Sequence, residues 1–191
     1  MEERGKIIIL SAPSGTGKST VIRRLMAHPE LKLQFSISAT SRRPRGEEQH
    51  GREYYFLSPE EFDNRVEKGQ FVEWEEVYKG TKYGTLTSEV ERITGIGHNL
   101  IMDIDVAGAL NVKRKYGDKA ILIFLEPPSL KELEKRLRTR ATDDEDSIKR
   151  RLEKAEYELS FAPRFDARVV NDDLDAAVKE VESLVRHFTG L

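Results

Sequence analysis

Apolar residues recur along this chain in two rhythms. Short, nearly continuous runs at Lys6 to Leu10, Leu33 to Ser38, Leu100 to Ile104, Ala120 to Leu125 and Arg168 to Val170 have the length and composition of buried strands. Between most of them apolar positions return every three or four residues, the period of a helix with one buried face. The last such stretch puts Leu174, Val178, Val181, Leu184, Val185 and Phe188 on a single stripe. Strands alternating with helices predict a parallel sheet covered on both faces. Several helix starts are explicit. Ser58-Pro59-Glu60-Glu61, Ser129 with Glu132, and Thr142 with Glu145 each offer a capping oxygen and a glutamate three positions on. From Phe35 to Tyr83 the alternation stops. Tyr54-Tyr55-Phe56 and Phe71-Val72-Glu73-Trp74 are strand-like there, around one short helix, and predict a small mixed sheet set into the α/β core.

At 191 residues the chain is long enough for one domain with a sizeable core and an inserted subdomain. Its formal charge of −2 and pI of about 6.2 lack the basic excess of a nucleic-acid binder. No apolar run approaches the ~18 residues of a membrane span, and Met1-Glu2-Glu3-Arg4 does not open a signal peptide, so a cytoplasmic protein without membrane partners is expected. The absence of cysteine excludes disulfides, thiolate catalysis and cysteine-ligated metals. His28, His50, His98 and His187 show no ligand spacing, and no zinc site is expected from them.

Ile7-Ile8-Ile9-Leu10 runs directly into Ser11-Ala12-Pro13-Ser14-Gly15-Thr16-Gly17-Lys18-Ser19-Thr20, after which Val21, Ile22 and Leu25 mark the inner side of a helix. Strand, glycine-rich turn and helix in that order build a phosphate cradle. Gly15 and Gly17 let successive backbone N–H groups converge on an anion, the helix N-terminus adds partial positive charge, and Lys18 adds a full one. Ser19 places a hydroxyl where a magnesium ion bridging the phosphates needs it. Ala12 stands where the usual pattern has its first glycine, and its methyl group does not block an ordinary backbone conformation. The expected ligand is a nucleoside triphosphate held by Ala12 through Thr20, with Mg2+ as cofactor.

Asn99-Leu100-Ile101-Met102-Asp103 is a strand ending in an acid, placed for the water shell of such a metal. Asp105, two positions on, points to the same side of an extended chain. The same two acids also suit capping of the turn at Val106-Ala107-Gly108. Arg136, Arg138, Arg140, Lys149, Arg150 and Arg151, with Asp143 to Asp146 between them, read as solvated helix faces laced with charge pairs.

A further ordered set follows the phosphate loop. Ser38-Ala39-Thr40-Ser41-Arg42-Arg43-Pro44-Arg45-Gly46 precedes Gly51-Arg52-Glu53-Tyr54-Tyr55-Phe56, then Phe71-Val72-Glu73-Trp74, Tyr83-Gly84-Thr85, Asp103-Ile104-Asp105 and Val169-Val170-Asn171-Asp172-Asp173. Taken singly, the arginines suit an exposed basic turn and Glu73 a solvent-facing strand position. In this order the set resembles the guanylate kinases over essentially the whole chain. The resemblance implies a phosphate-loop parallel sheet flanked by helices (1–34, 86–128 and 161–191), a mixed-β GMP-binding insert (35–85) and a helical lid (129–160). It implies transfer of the γ-phosphoryl group of ATP to GMP, giving ADP and GDP, in purine nucleotide recycling.

The same resemblance assigns Arg42, Arg45, Tyr54 and Tyr83 to the phosphate of GMP, and Ser38, Glu73, Thr85 and Asp105 to guanine. It makes Arg136, Arg140 and Arg151 lid arginines facing the triphosphate, sets Asn171 near adenine, and leaves Asp103 nearer magnesium, through water. Lys18, Arg42 and the lid arginines are then the catalytic set. The chemistry agrees: guanidinium groups fork onto phosphate oxygens, and a carboxylate accepts from the N1–H and N2–H₂ donors of guanine but meets a lone pair at N1 of adenine. Two other readings stay open. One is a non-catalytic module that holds a phosphorylated protein segment, and the other is a phosphate-loop kinase with a different acceptor. dGMP is a further acceptor to be tested.

Overall fold

The computed structural model describes residues 4–139 and 144–191. In chain order the elements are β1 (Ile7–Ser11), α1 (Lys18–Leu25), β2 (Leu33–Phe35), β3 (Ala39–Thr40), β4 (Tyr55–Phe56), α2 (Pro59–Glu67), β5 (Phe71–Tyr78) and β6 (Thr81–Leu86). They continue as α3 (Thr87–Thr94), β7 (Asn99–Asp103), α4 (Val106–Tyr116), β8 (Ala120–Glu126), α5 (Leu130–Thr139), α6 (Glu145–Leu159), β9 (Ala167–Val170) and α7 (Leu174–Thr189).

β2, β7, β1, β8 and β9 lie side by side in that order, each neighbouring pair parallel. β1 is buried at every position because it is central and covered on both faces. Its side chains, and those of its neighbours, alternate between two cores. Ile7, Ile9, Leu100, Met102, Leu122 and Phe124 pack with Val90 and Ile93 of α3 and Val106, Ala109 and Val112 of α4. Ile8, Leu10, Ile101, Ile123, Leu125 and Val169 pack with Val21, Ile22 and Leu25 of α1 and Val178, Val181 and Val185 of α7. The stripe read from the sequence of the last helix is the face that closes this second core.

The second sheet has the order β4-β3-β6-β5 and is mixed, with β3 and β4 parallel and the other pairs antiparallel. Ala39, Phe62, Phe71 and Leu86 form its small core under α2, with Phe62 stacked on Phe71 at 4.4 Å. Leu133, Leu137 and Ala155 join α5 to α6, and Arg138 of α5 pairs with Glu134 and Glu145.

Two local expectations are corrected. The run Leu33 to Ser38 reads as one strand, but β2 ends at Phe35. After Ser36 N donates to the Ile101 carbonyl (3.2 Å) the chain crosses to the second sheet, where the Ser38 carbonyl accepts from Tyr55 N (2.9 Å). Two sheets compete for one apolar segment and divide it. The second correction concerns α6, which begins at Glu145 behind Asp144, whose carboxylate accepts from Ser147 N at 2.7 Å. A carboxylate cap also meets the positive end of the helix. Glu145 is therefore the first helical residue, paired with Arg138, and not the third; Thr142 lies outside the described residues. Ser58 and Glu61 make a reciprocal box as read (3.1 and 2.9 Å), whereas at Ser129 half of the expected box is seen, Oγ accepting from Glu132 N at 3.1 Å while the Glu132 carboxylate faces Lys135 and Arg136.

Replacing Ser58 with alanine is expected to lower the unfolding free energy by about 1 kcal/mol. Urea denaturation with an unchanged m-value is the check.

Candidate active site

The parallel register sets Leu10 of β1 beside Asp103 of β7, and Ser11 Oγ donates to the Ile104 carbonyl at 2.7 Å. The loop after β1 and the acids after β7 therefore open into the same space. Gly15 and Gly17 take φ of 93° and 98°, the left-handed region that L side chains rarely adopt. Neighbours add a second demand: a Cβ on Gly15 would stand 3.0 Å from Leu137 Cδ2, and one on Gly17 2.7 Å from Asn171 Nδ2. Ala12 is buried with an ordinary backbone, as the sequence allowed.

Asn171, at the end of β9, is also buried and donates Nδ2 to the Thr16 carbonyl at 2.6 Å. Its side-chain amide thus braces the phosphate loop from behind. The Asn171 carbonyl accepts from Arg136 Nη1 at 3.1 Å. Thr16 turns its side chain into the protein, where Oγ1 has no hydrogen-bond partner among the described residues.

A cleft of about 560 Å³ separates the loop from the second sheet. The loop wall holds Ser14, Gly15, Gly17, Lys18, Ser19 and Thr20, with Ala12 and Pro13 beneath. Ser38, Tyr54, Glu73 and Tyr83 line the opposite wall, and Asp103 and Asp105 lie between. Lys18 Nζ stands 2.5 Å from Asp103 Oδ1. Asp105 does two things at once: its Oδ1 caps α4 by accepting from Gly108 N at 2.7 Å, and the residue lines the cleft.

The β5–β6 register places Glu73 opposite Thr85 and Glu75 opposite Tyr83. Thr85 is fully buried behind the wall, and Glu73 is 8% exposed. Burial pushes the Glu73 carboxyl up to about 7; Thr85 gives partial relief, and the charges of Asp105 and Glu75 add to the rise. Gly108 makes the crowding feasible, since a Cβ there would lie 3.3 Å from Glu73 Oε2.

The two phosphate arginines read from the sequence are placed differently from each other. Arg42 has a side chain 11% exposed, packed behind Tyr54 and Phe56 at 5.1 and 5.6 Å. Its Nη1 and Nη2 fork onto Glu48 at 2.7 and 2.8 Å, and Nε donates to Tyr83 Oη at 3.2 Å. The fork onto Arg42 holds the Glu48 carboxyl down at about 2. Tyr83 Oη accepts from Arg42, which leaves its own proton free to donate. Arg45 is exposed on the outer side of this turn, its backbone N donating to Glu48 at 2.8 Å.

Of the lid arginines, Arg151 lines the cleft, Arg136 sits against Asn171, and Arg140 lies outside the described residues. Sequence reasoning missed Glu75, Lys154 and Glu158, which line the same cleft. The signals were present. Glu75 lies two positions from Glu73 on one strand face, and Lys154 and Glu158 follow Arg151 at three and seven positions on one helix face. Burial raises the carboxyls of Glu75 and Glu158. At Glu75 the Asp105 charge adds to the rise and Lys154 opposes it; at Glu158 Lys154 and Lys18 oppose it, and Asp105 and Glu75 add to it.

The family model described as guanylate kinase matches residues 4–188. The guanylate kinase of Porphyromonas gingivalis is 58% identical over 183 residues, covering 96% of this chain and 97% of that protein. That of Bacteroides thetaiotaomicron is 53% identical over 184 residues, covering 96% and 90%. Among solved structures, the guanylate kinase from Anaplasma phagocytophilum superposes with a TM-score of 0.73 at 28% identity, covering 99% of this chain and 88% of that one.

A carboxyl raised from 4.5 to about 7 means that the folded protein holds this proton more tightly than the unfolded chain does. The stability contributed is present in full below the unfolded value and is lost as pH rises through 7. Glu73→Gln is therefore expected to raise Tm by several degrees at pH 8, with the gain vanishing toward pH 5, in thermal melts across that range.

Proposed function

This chain belongs to the guanylate kinase family and phosphorylates GMP to GDP with ATP as donor, and from that premise we propose which residues do what. The observation that supports the assignment is the meeting, in one cleft, of a phosphate loop carrying Lys18 with a wall carrying Ser38, Tyr54, Glu73 and Tyr83. Residues 35–85 form the GMP insert, 129–160 the lid and the remainder the core. ATP lies along Ala12 to Thr20, its phosphates on the loop amides and Lys18. Arg151 faces the triphosphate from α6. Asn171 and Arg136 support the loop, with Arg140 completing the lid set.

The acceptor is a phosphate oxygen that is already anionic, so no general base is needed. What the protein must do is align two anions, neutralise their charge and keep water out. Lys18 Nζ lies against Asp103, so a phosphate that takes the ammonium leaves the carboxylate available. A hydroxyl at Ser19 and a carboxylate at Asp103, both lining the cleft, are hard oxygen donors that fit magnesium. Bound with ATP, that ion supplies charge neutralisation and orientation. Tyr54 and Tyr83 donate to the GMP phosphate, with Arg42 behind them, and Arg45 joins them only if it swings in from the outer side of the turn.

Guanine lies against Glu73, Ser38 and Asp105, with Thr85 behind the wall supporting Glu73. Its N1–H and N2–H₂ donors pair with the Glu73 carboxylate and offset the burial that raises it. Adenine leaves the same buried group unpaired, a mismatch that sites of this kind reject by roughly 10⁴-fold or more. The ligands are small molecules, and the charge balance speaks against nucleic acid. Among the described residues no helix is long and apolar enough to cross a membrane. A cytoplasmic enzyme of GMP recycling is the proposal that goes with this composition.

The test is ADP formation from ATP and Mg2+ with GMP, dGMP, AMP, CMP, UMP or no acceptor. Turnover with GMP, and at least about 10⁴-fold less kcat/KM with AMP, is expected. Comparable turnover with AMP, or ADP formation independent of acceptor, contradicts the role given to Glu73.

A further inference from the structure

Glu89, in the first turn of α3, is a buried carboxylate that the reaction does not use. It is 1% exposed and accepts four hydrogen bonds. Oε1 takes Ile37 N at 2.9 Å and Arg92 Nη2 at 2.8 Å, and Oε2 takes the Tyr55 hydroxyl and Arg92 Nε, each at 2.9 Å. A carboxylate persists in such a place only if its oxygens are satisfied. Burial pushes it up, and Arg92, the Ile37 amide and Tyr55 outweigh that, leaving it below the usual carboxylate range. Arg92 is nearly half exposed, so solvent screens its charge and the two neutral donors give the arrangement its specificity.

Those two donors stand beside the GMP wall. Ile37 immediately precedes Ser38, where the chain crosses from β2 to β3. Tyr55 immediately follows Tyr54, and side chains alternate along the extended chain leading into β4, so a Tyr55 ring held toward Glu89 keeps Tyr54 facing the cleft. The two segments are also joined to each other, Tyr55 N donating to the Ser38 carbonyl at 2.9 Å. α3 is anchored by Val90 and Ile93 in the core under the parallel sheet. Glu89 therefore ties two segments of the insert to the fixed part of the molecule. None of its bonds reaches the phosphate loop.

We propose that Glu89 is a positioning residue for GMP: by holding Ile37 and Tyr55 against α3 it sets Ser38 and Tyr54 at their places in the cleft, touching neither substrate itself. This rests on the reading of Ser38 and Tyr54 as GMP contacts.

The experiment is steady-state kinetics of Glu89→Gln, Tyr55→Phe and the double variant, with both substrates varied. Glu89→Gln is expected to raise KM for GMP by roughly five- to thirty-fold, the effect of one or two kcal/mol, with KM for ATP held within about twofold. Tyr55→Phe shifts the same parameter in the same direction by less. The double variant is no worse than Glu89→Gln alone, because both act through one network. Loss of folded protein lowers the active fraction and moves neither KM, so it is separable; if Glu89→Gln does not fold, Tyr55→Phe carries the test. Unchanged KM for GMP in the folded variants, or equal rises for both substrates, overturns the proposal. Ser38→Ala and Tyr54→Phe in the same assay separate the two readings. If they raise KM for GMP and the Glu89 and Tyr55 variants do not, the positioning role alone falls. If none does, the GMP-site reading falls with it.

Discussion

The register of β1 against β7 is the constraint on which the rest of the structure depends. With Leu10 opposite Asp103, the glycine-rich turn and the strand end that carries acids emerge side by side. A slip of one residue would send every side chain of a strand to the opposite face, putting acids where the cores close. Two fully covered faces make that slip prohibitive. The same burial that stabilises the sheet therefore aligns Lys18 with Asp103, at 2.5 Å.

Around that alignment the cleft gathers groups of both charges. The loop offers backbone N–H groups, a helix N-terminus and Lys18. Glu73, Glu75, Asp105 and Glu158 line the same cleft, with Asp105 and Glu75 acting on Glu73 and Glu158, and Glu73 and Glu158 are buried. Burial, with the charges of Asp105 and Glu75 adding to it, raises the Glu73 carboxyl, a cost that a base with adjacent N–H donors offsets by pairing with it. Stability is set aside for recognition at this wall. The phosphate end is organised by a chain of orientation: Glu48 holds Arg42, Arg42 donates to Tyr83, and Tyr83 is left with a proton to give.

The parallel sheet, its two-faced cover and the mixed insert were legible because periodicity reports burial directly. The phosphate loop was legible because its chemistry is local: a strand, two glycines and a helix start within a few residues of each other. Glu73 and Tyr83 carried little meaning singly and became readable through their order beside that loop. What was not legible depends on contacts distant in sequence. Spacing does not reveal that Asn171 turns its amide onto Thr16, 155 positions away, or that Arg42 is engaged by Glu48 while Arg45 stays on the outer face. Glu75, Lys154 and Glu158 were recoverable from strand and helix periodicity once Glu73 and Arg151 were chosen. Strand ends and caps shifted where two local partners competed, as at Ser36 to Ser38 and at Asp144.

The central claim, that the Glu73 carboxylate receives the guanine donors, is tested most directly by the protons exchanged when GMP binds. Calorimetric titration at pH 7, in buffers of differing ionisation enthalpy, measures that number for the wild type and for Glu73→Gln. A carboxyl near 7 is about half protonated there, and guanine requires it ionised. The wild type should therefore release up to about half a proton more per GMP than the variant, protons linked to the GMP phosphate being common to both. Equal proton release by the two proteins, with GMP bound to each, would contradict the account.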